Sequence, residues 1–475
     1  MHRTRLSAAV LTTAVVAAAG ASTALATGFY PGHWHGHDRD DARSAVVESL
    51  SNRHPKNVIL FIGDGMGTQE ITAARYYQGV QNRLNVDRLP LTGFDTTWSV
   101  KPGTGPRYLP DYDPDSASTG TEWATGEKTL DERISQGPST AIDVPGRNLR
   151  TVLELAQRDG KKVGDVSTAE LTDATPAVLA SHISLRGCQG PADTARSCRL
   201  ETKEAGGLGS IAEQEVDHRV DVLLGGGRAR FEQTVTGGRY AGRTVADQAQ
   251  AQGYRYVTDA AGLDAIHSTS KPVLGLFNSG NMSLEWRGPQ ARLGKGDPAS
   301  ACVENQRPAN EPSLSAMTDK AIGLLENRRG FFLQVEGASI DKQDHGANAC
   351  GQLGETVAFD NAIGVALDYQ RRHPDTLVLV TADHAHTSQI VAEDASGAGL
   401  PTGYSSNLLT KDGQTLTLTY GTSGFGGDGA APQPDPSRLS QQHTGAVVPV
   451  WGKGPGALDV LGTNDHTDLF DTLQG

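Results

Sequence analysis

The chain is short of positive charge, of cysteine and of long apolar runs, and each shortage removes a class of function. Its 42 lysines and arginines stand against 55 aspartates and glutamates, a formal charge of −13. An acidic surface disfavours nucleic acid or an anionic lipid layer as principal partner. Beyond residue 26 no stretch approaches the roughly 18 consecutive apolar residues of a membrane span. Only four cysteines are present, Cys188, Cys198, Cys302 and Cys350, and none is spaced C-x₂-C, which speaks against a cysteine-held metal. The glycine run Gly225-Gly226-Gly227 lacks the Lys-Ser/Thr ending of a phosphate-binding Walker loop and is expected to be a turn. No repeat of about 20 to 50 residues is visible, so a solenoid or propeller is not expected.

The N-terminus indicates a compartment. Arg3 and Arg5 precede an apolar run from Ala8 to Ala19, and Ala24-Leu25-Ala26 has the small-x-small form of a cleavage site. Residues 1–26 therefore have the pattern of a secretory signal peptide, whose loss makes the mature chain more acidic still. No cysteine near that site offers a lipid attachment point, so the expectation is a soluble protein, secreted or periplasmic. Residues 27–54 form a polar arm with His33, His35 and His37 around Trp34, where weak metal binding competes with the simpler reading of a flexible linker. An even number of cysteines in an exported chain implies disulfides. Three pairings are open, and Cys188–Cys198 is the favoured local one because it closes a short loop around Gly190-Pro191.

From Lys56 onward, strand-like runs alternate with helical patterns. Three short runs of apolar residues end directly in acids or histidines: Val58–Ile62 before Asp64, Phe331–Val335 before Glu336, and Leu377–Val380 before Asp383-His384. Such runs suit the central strands of a parallel sheet with helices on both faces. Lys162–Val166, Val220–Leu224, Val273–Phe277 and Val447–Trp451 are further strand candidates. Ala358, Ala362, Val365, Ala366 and Tyr369 recur at helical spacing, which predicts a helix lying on the sheet. No shift of composition after Val80 or Cys350 marks a domain boundary. The glycine- and proline-rich stretch Ser396–Pro436 is expected to be an excursion with a hairpin near Thr415–Tyr420. The expected fold is α/β, a large, mostly parallel sheet whose ligands lie beyond the carboxyl ends of its strands.

Carboxylates and imidazoles gathered at that edge from three distant segments are the donor set of a multi-metal site. Asp341 and His345 stand four apart and share a face if helical; alone, such a pair is more often a surface contact. Thr381-Ala382-Asp383-His384-Ala385-His386 is more specific, because three polar groups directly after a buried strand have few structural uses. Gly63-Asp64-Gly65-Met66-Gly67 places an acid in a tight turn. Asp115-Ser116-Ala117-Ser118-Thr119 either caps a helix running to Trp123 or sets a serine nucleophile at a helix N-terminus. Arg186 is either a solvated charge or a guanidinium that grips two phosphate oxygens.

Together these clusters resemble bacterial alkaline phosphatase. The matching segments are Ile62-Gly63-Asp64-Gly65-Met66-Gly67, Asp115-Ser116-Ala117, Asp173-Ala174-Thr175-Pro176, Val335 through His345, Thr381 through His386, and His443-Thr444-Gly445. The resemblance spans almost the whole mature chain and implies that residues 55–475 form a single catalytic domain. It implies two zinc ions and one magnesium per site. Asp341, His345 and His443 would hold the first zinc, and Asp64, Asp383 and His384 the second. Asp64 would reach toward magnesium with Thr175 and Glu336. Ser116 would be the nucleophile that becomes a phosphoserine, and Arg186 would clamp the phosphate. Asp173 and Lys342 would support the phosphate and magnesium side, and His386 the first zinc. The implied substrates are small phosphate monoesters, and relatives are commonly homodimers. Ser118, Gly120 and Glu122 depart from the family's usual pattern beside the nucleophile. Two other readings remain: a phosphodiesterase or sulfatase on the same framework, and a secreted phosphate or zinc scavenger without catalysis.

Overall fold

In a computed structural model of the chain, residues 54–474 are described apart from 269, 394–402 and 422–439, together with a few residues between 43 and 50. The signal-peptide segment, most of the polar arm and much of the Ser396–Pro436 excursion lie outside the described residues.

The three apolar runs become neighbouring central strands of a ten-stranded sheet. In chain order its strands are β1 (Asn57–Gly63), β2 (Leu91–Thr96), β3 (Lys162–Glu170), β4 (Val222–Gly226), β5 (Arg255–Val257), β6 (Val273–Leu276), β7 (Phe331–Gly337), β8 (Thr376–Thr381), β9 (Val448–Lys453) and β10 (Gly462–Asp465). They lie side by side as β10-β2-β9-β8-β1-β7-β3-β4-β6-β5, with β9 alone antiparallel to its neighbours. Parallel pairing needs long crossovers, which is where the helices come from.

Strand β1 shows why both of its faces had to be apolar. Ile59 and Phe61 enter one core, where Phe61 meets Phe359 edge-on with ring centroids 5.7 Å apart. Val58, Leu60 and Ile62 enter the opposite core against Ala117 and Trp123. A period-two alternation with no polar side is what two helical layers demand. Helices α1 (Thr68–Tyr77), α2 (Ser116–Thr125), α3 (Val152–Arg158), α4 (Ala174–Ala180), α5 (Ile211–Asp217), α6 (Leu314–Leu325), α7 (Ser339–His345) and α8 (Ala349–Arg372) supply most of those layers.

Helix α8 is longer than its apolar spacing predicts. Ala362, Ala366 and Tyr369 are buried as expected, whereas Ala358 is only half-buried and Phe359 and Ile363 fill the core beside it. The glycine run is a partial correction: Gly225 and Gly226 finish β4, and only Gly227, at φ +91°, turns the chain. A side chain at Gly226 would meet the Gly280 carbonyl at 2.1 Å, so the strand stays bare where backbone crosses it. Three sheet members have no apolar run to announce them. Strand β2 alternates buried and exposed residues, and β5 and β10 are short edge strands. The hairpin near Thr415–Tyr420 is present, paired antiparallel with Tyr404–Leu409 in a separate four-stranded sheet. Among the described residues no helix is long and apolar enough to cross a membrane.

All four cysteines are paired, Cys188 with Cys198 and Cys302 with Cys350. The second bridge ties the first turn of α8 to a loop 48 residues earlier. Closing a loop of that size restricts the unfolded chain by roughly 4 kcal/mol in the chain-entropy picture. Replacing Cys302 and Cys350 together by serine should lower unfolding stability by about 2 to 4 kcal/mol, read as a shift of the urea midpoint. An unchanged midpoint would show that the bridge constrains nothing the fold does not already hold.

Candidate active site

Register brings the chemistry to one edge. Ile62 pairs with Glu336 on one side and with Thr381 on the other, and Glu336 pairs with Ser167. Glu336 and Ser167 are therefore level with Ile62 and Thr381, and Asp64 and Asp383 follow two residues further along their own chains at the same edge. The turn after β1 is held by Met66 N–H donating to Gly63 O and by Gly65 N–H donating to Asp383 Oδ1 at 2.8 Å. Gly65 sits at φ +69°, and a Cβ there would lie 2.6 Å from the His386 ring. The glycine thus admits a histidine.

One cluster forms around Asp341 at the start of α7. Its Oδ1 lies 2.6 Å from His386 Nε2, 3.3 Å from His345 Nε2 and 3.4 Å from His443 Nε2. The helical i,i+4 pair is thus a buried feature with two more imidazoles brought to it. His443 reaches it because His443–Thr444 pairs antiparallel with Ala385–His386. His345 Nδ1 faces the Gln441 carbonyl at 2.7 Å, and His443 Nδ1 faces the Pro114 carbonyl at 3.1 Å. A carbonyl only accepts, so each Nδ1 carries a proton and each ring, when neutral, presents a lone pair at Nε2. Those two Nε2 atoms are 3.1 Å apart.

A second cluster lies beside it. His384 Nε2 is 3.5 Å from Asp64 Oδ1, 3.2 Å from Asp383 Oδ2 and 3.2 Å from Ser116 Oγ. Asp64 Oδ1, Asp383 Oδ2 and Thr175 Oγ1 are buried without a hydrogen-bond partner. Burial, reinforced by the charges of Asp341, Asp383 and Glu336, pushes the Asp64 carboxyl well above its usual range. Burial likewise raises Glu336 to about 8 and drives the His384 imidazole well below its ordinary value. Acids that resist ionisation beside a base that resists protonation describe a site short of positive charge. The donor sets Asp64/Asp383/His384 and Asp341/His384/His386/His443 each have the spacing a metal ion requires.

Ser116 is the first residue of α2, where unpaired backbone N–H groups favour an anion. Asp115 caps that helix through Ser118 N–H at 3.0 Å. Arg186 is not a loose surface charge. Its Nη1 is 3.3 Å from Asp115 Oδ2 and its Nη2 2.9 Å from Asp173 Oδ1, while Lys342 Nζ holds the other Asp173 oxygen at 2.7 Å. Burial would raise the Asp173 carboxyl, but these two cations keep it below the ordinary carboxylate range.

The departures beside Ser116 have structural partners. Ser118 Oγ donates to Asp131 Oδ1 at 2.8 Å, and Glu122 is buried against Lys128 at 2.7 Å. Gly120 lets α2 close on α4, since a Cβ there would lie 2.7 Å from Val178. Sequence reasoning missed Asp131 and Ser167. Ser167 Oγ donates to Glu336 Oε2, and Asp131 Oδ1 also accepts from Ser99 Oγ at 2.8 Å. Ser167 directly follows the expected strand Lys162–Val166, which the structure extends to Glu170, and that position was an available signal; Asp131 lies in a loop with none.

Comparison with known proteins agrees across most of the chain. The alkaline phosphatase family matches residues 55–427. An alkaline phosphatase of Escherichia coli K12 is 47% identical over 442 residues, covering 91% of this chain and 88% of its own length. A streptomycin-6-phosphate phosphatase of Streptomyces griseus is 46% identical over 442 residues, covering 91% and 92%. The crystal structure of Thermus thermophilus alkaline phosphatase shares the fold at a TM-score of 0.62 and 22% identity, over 94% of this chain and 95% of that one.

The raised Glu336 carboxyl has a thermodynamic consequence. Its folded value moves from the ordinary 4.5 to about 8, so over that interval the native state keeps a proton the unfolded chain has lost. Stability without metal should therefore fall as pH rises from about 4.5 to about 8, by up to about 1.4 kcal/mol per pH unit for that proton. Urea midpoints in chelator should fall less steeply across this range for Glu336→Gln. Equal slopes in the two proteins would remove Glu336 as the titrating group.

Proposed function

The chain belongs to the alkaline phosphatase family, an enzyme class of phosphomonoesterases, and from that premise we propose that it hydrolyses phosphate monoesters to inorganic phosphate and an alcohol through a phosphoserine at Ser116. The observation that carries this reading is the Ser116 hydroxyl at a helix N-terminus, 3.2 Å from His384 Nε2 and beside converging buried acids.

The residues fit metal ions on the evidence of the facing Nε2 lone pairs and the unpartnered oxygens of Asp64, Asp383 and Thr175. In this reading Asp341, His345 and His443 hold one zinc, with His386 steadying Asp341. Asp64, Asp383 and His384 hold a second, and Asp64, Thr175 and Glu336 a magnesium. When bound, such ions neutralise the phosphate dianion and lower the pKa of a coordinated hydroxyl or water.

The chain's own groups do the rest. Arg186, aimed by Asp115 and Asp173, grips two non-bridging oxygens and turns the ester so that its leaving oxygen points away from Ser116. Ser116 Oγ bonds to phosphorus as the bond to the alcohol oxygen breaks, and the proton it gives up to solvent is returned to the departing oxygen, which leaves as the alcohol. Water then attacks from the side the alcohol left, restores the serine hydroxyl and releases inorganic phosphate. Two inversions give net retention. The N-terminal amides of α2 favour the anion throughout. Lys342 keeps Asp173 ionised and so keeps Arg186 in place.

The same reading takes residues 1–26 as an export signal, 27–54 as an arm, 55–475 as one catalytic domain, and a homodimer as the assembly. Support comes from the apolar run with its Ala24-Leu25-Ala26 site and from the family itself.

Three outcomes test it. Chelation should abolish aryl phosphate hydrolysis and zinc with magnesium should restore it; full activity of metal-free protein would refute the ligand assignment. Ser116→Ala should keep fold and metal content while losing the phosphoenzyme, and acid-stable phosphate found on another residue would move the nucleophile. Arg186→Ala should weaken phosphate inhibition and lower monoester kcat/KM by about 10- to 150-fold, the loss of one charge-assisted pair, and barely touch slow diester hydrolysis. Equal losses on both esters would mean that Arg186 serves only the scaffold.

A further inference from the structure

Away from the sheet edge, a second group of imidazoles converges on a carboxylate. Glu154 lies in the first turn of α3, His182 follows α4, and His218 caps the C-terminus of α5. Glu154 Oε1 is 3.0 Å from His218 Nε2 and 3.3 Å from His182 Nε2. Each ring has its other nitrogen committed. His182 Nδ1 faces the Ser135 carbonyl at 2.9 Å and His218 Nδ1 faces the Gln214 carbonyl at 3.0 Å. Both Nδ1 atoms must therefore carry protons, and both rings direct Nε2 at the same carboxylate oxygen.

That arrangement needs positive charge at its centre. Either both rings take a second proton, or a cation stands among the three donors. Several observations favour the cation. The Glu154 carboxylate is pinned from behind, its Oε2 accepting the Thr151 N–H at 3.0 Å, so only Oε1 is directed at the rings. Backbone carbonyls orient both imidazoles, the usual support of a metal-ligating histidine. Donors about 2.0 to 2.1 Å from a tetrahedral zinc stand roughly 3.3 to 3.4 Å from one another, close to the separations found here. Glu154 is 26% and His218 22% exposed, which leaves a path for an ion and room for water at a fourth position.

We propose that Glu154, His182 and His218 form a separate site for one divalent transition-metal ion, zinc by its two-imidazole, one-carboxylate donor set, which braces three elements on one face of the sheet. The bound ion pins the segment that runs on to Arg186. That segment already lies against the neighbouring loop through paired Ile134–Ile183 backbone bonds of 3.0 Å and the Arg186 N–H donating to Glu132 O.

The test reads metal rather than turnover, so it stands or falls independently of the proposed reaction. Full-length protein is loaded with zinc and magnesium, freed of excess, and analysed by mass spectrometry of its metals. Wild type should carry one zinc per chain more than either His218→Ala or Glu154→Gln, with aryl phosphate hydrolysis retained in both variants. Glu154→Gln keeps the helix-capping acceptor, so it reports even if His218→Ala folds poorly. Crystals of zinc-loaded wild type should show an anomalous peak at the zinc edge between the three side chains. Equal zinc counts in wild type and variants, or an anomalous map with no peak there, would overturn the site and leave a proton-bridged pair of histidines.

Discussion

Four buried carboxylates, Asp64, Glu336, Asp341 and Asp383, end up at one edge of the sheet, and their mutual repulsion is the constraint to which the surroundings respond. Two like charges 4 Å apart repel by about 4 kcal/mol at an effective dielectric constant of 20. No fold tolerates several such pairs without positive charge nearby. Lys342 and Arg186 supply part of it through Asp173, and the imidazole lone pairs of His345, His384 and His443 are aimed so that cations can supply the remainder. The instability of the edge is therefore the physical form of its function.

The neighbouring architecture is arranged around that edge. Central parallel strands are buried on both faces, which gives the carboxylates a rigid, water-poor base from which to project. Gly65 leaves room for His386 behind Asp341, and Gly120 lets α2 approach α4 so that Ser116 and Thr175 approach from the same side. Asp115 joins Ser116 to Arg186, because one carboxylate both caps the helix that begins at Ser116 and receives Arg186. A change at Asp115 would disturb serine and arginine together.

The helical face beyond Arg186 shows that the same donor logic can recur on one chain. At His182 and His218, as at His345 and His443, backbone carbonyls accept from Nδ1 and leave Nε2 directed at a carboxylate. No motif betrayed this second group. Its members lie 28 and 36 residues apart in sequence, and His218 looks like an ordinary helix-end histidine.

By itself the sequence determined the central strands and most of the edge chemistry. Val58–Ile62, Phe331–Val335 and Leu377–Val380 are apolar but for Gln334 because helices cover both faces, and the acids that follow them stand out against that background. Local spacing also carried Asp341 with His345 and the cap at Asp115. Tertiary structure alone decided the rest. Strand β2 needs no apolar run because one of its faces is exposed, so its alternation is easily lost among loops. Asp131 and Ser167 became partners only when distant segments met. The bond between Cys302 and Cys350, expected only as the pair that remains once Cys188 joins Cys198, takes its place from where α8 docks. The imidazole tautomers were decided last of all, because they depend on which carbonyl faces each ring, and a chain read in one dimension contains no such direction.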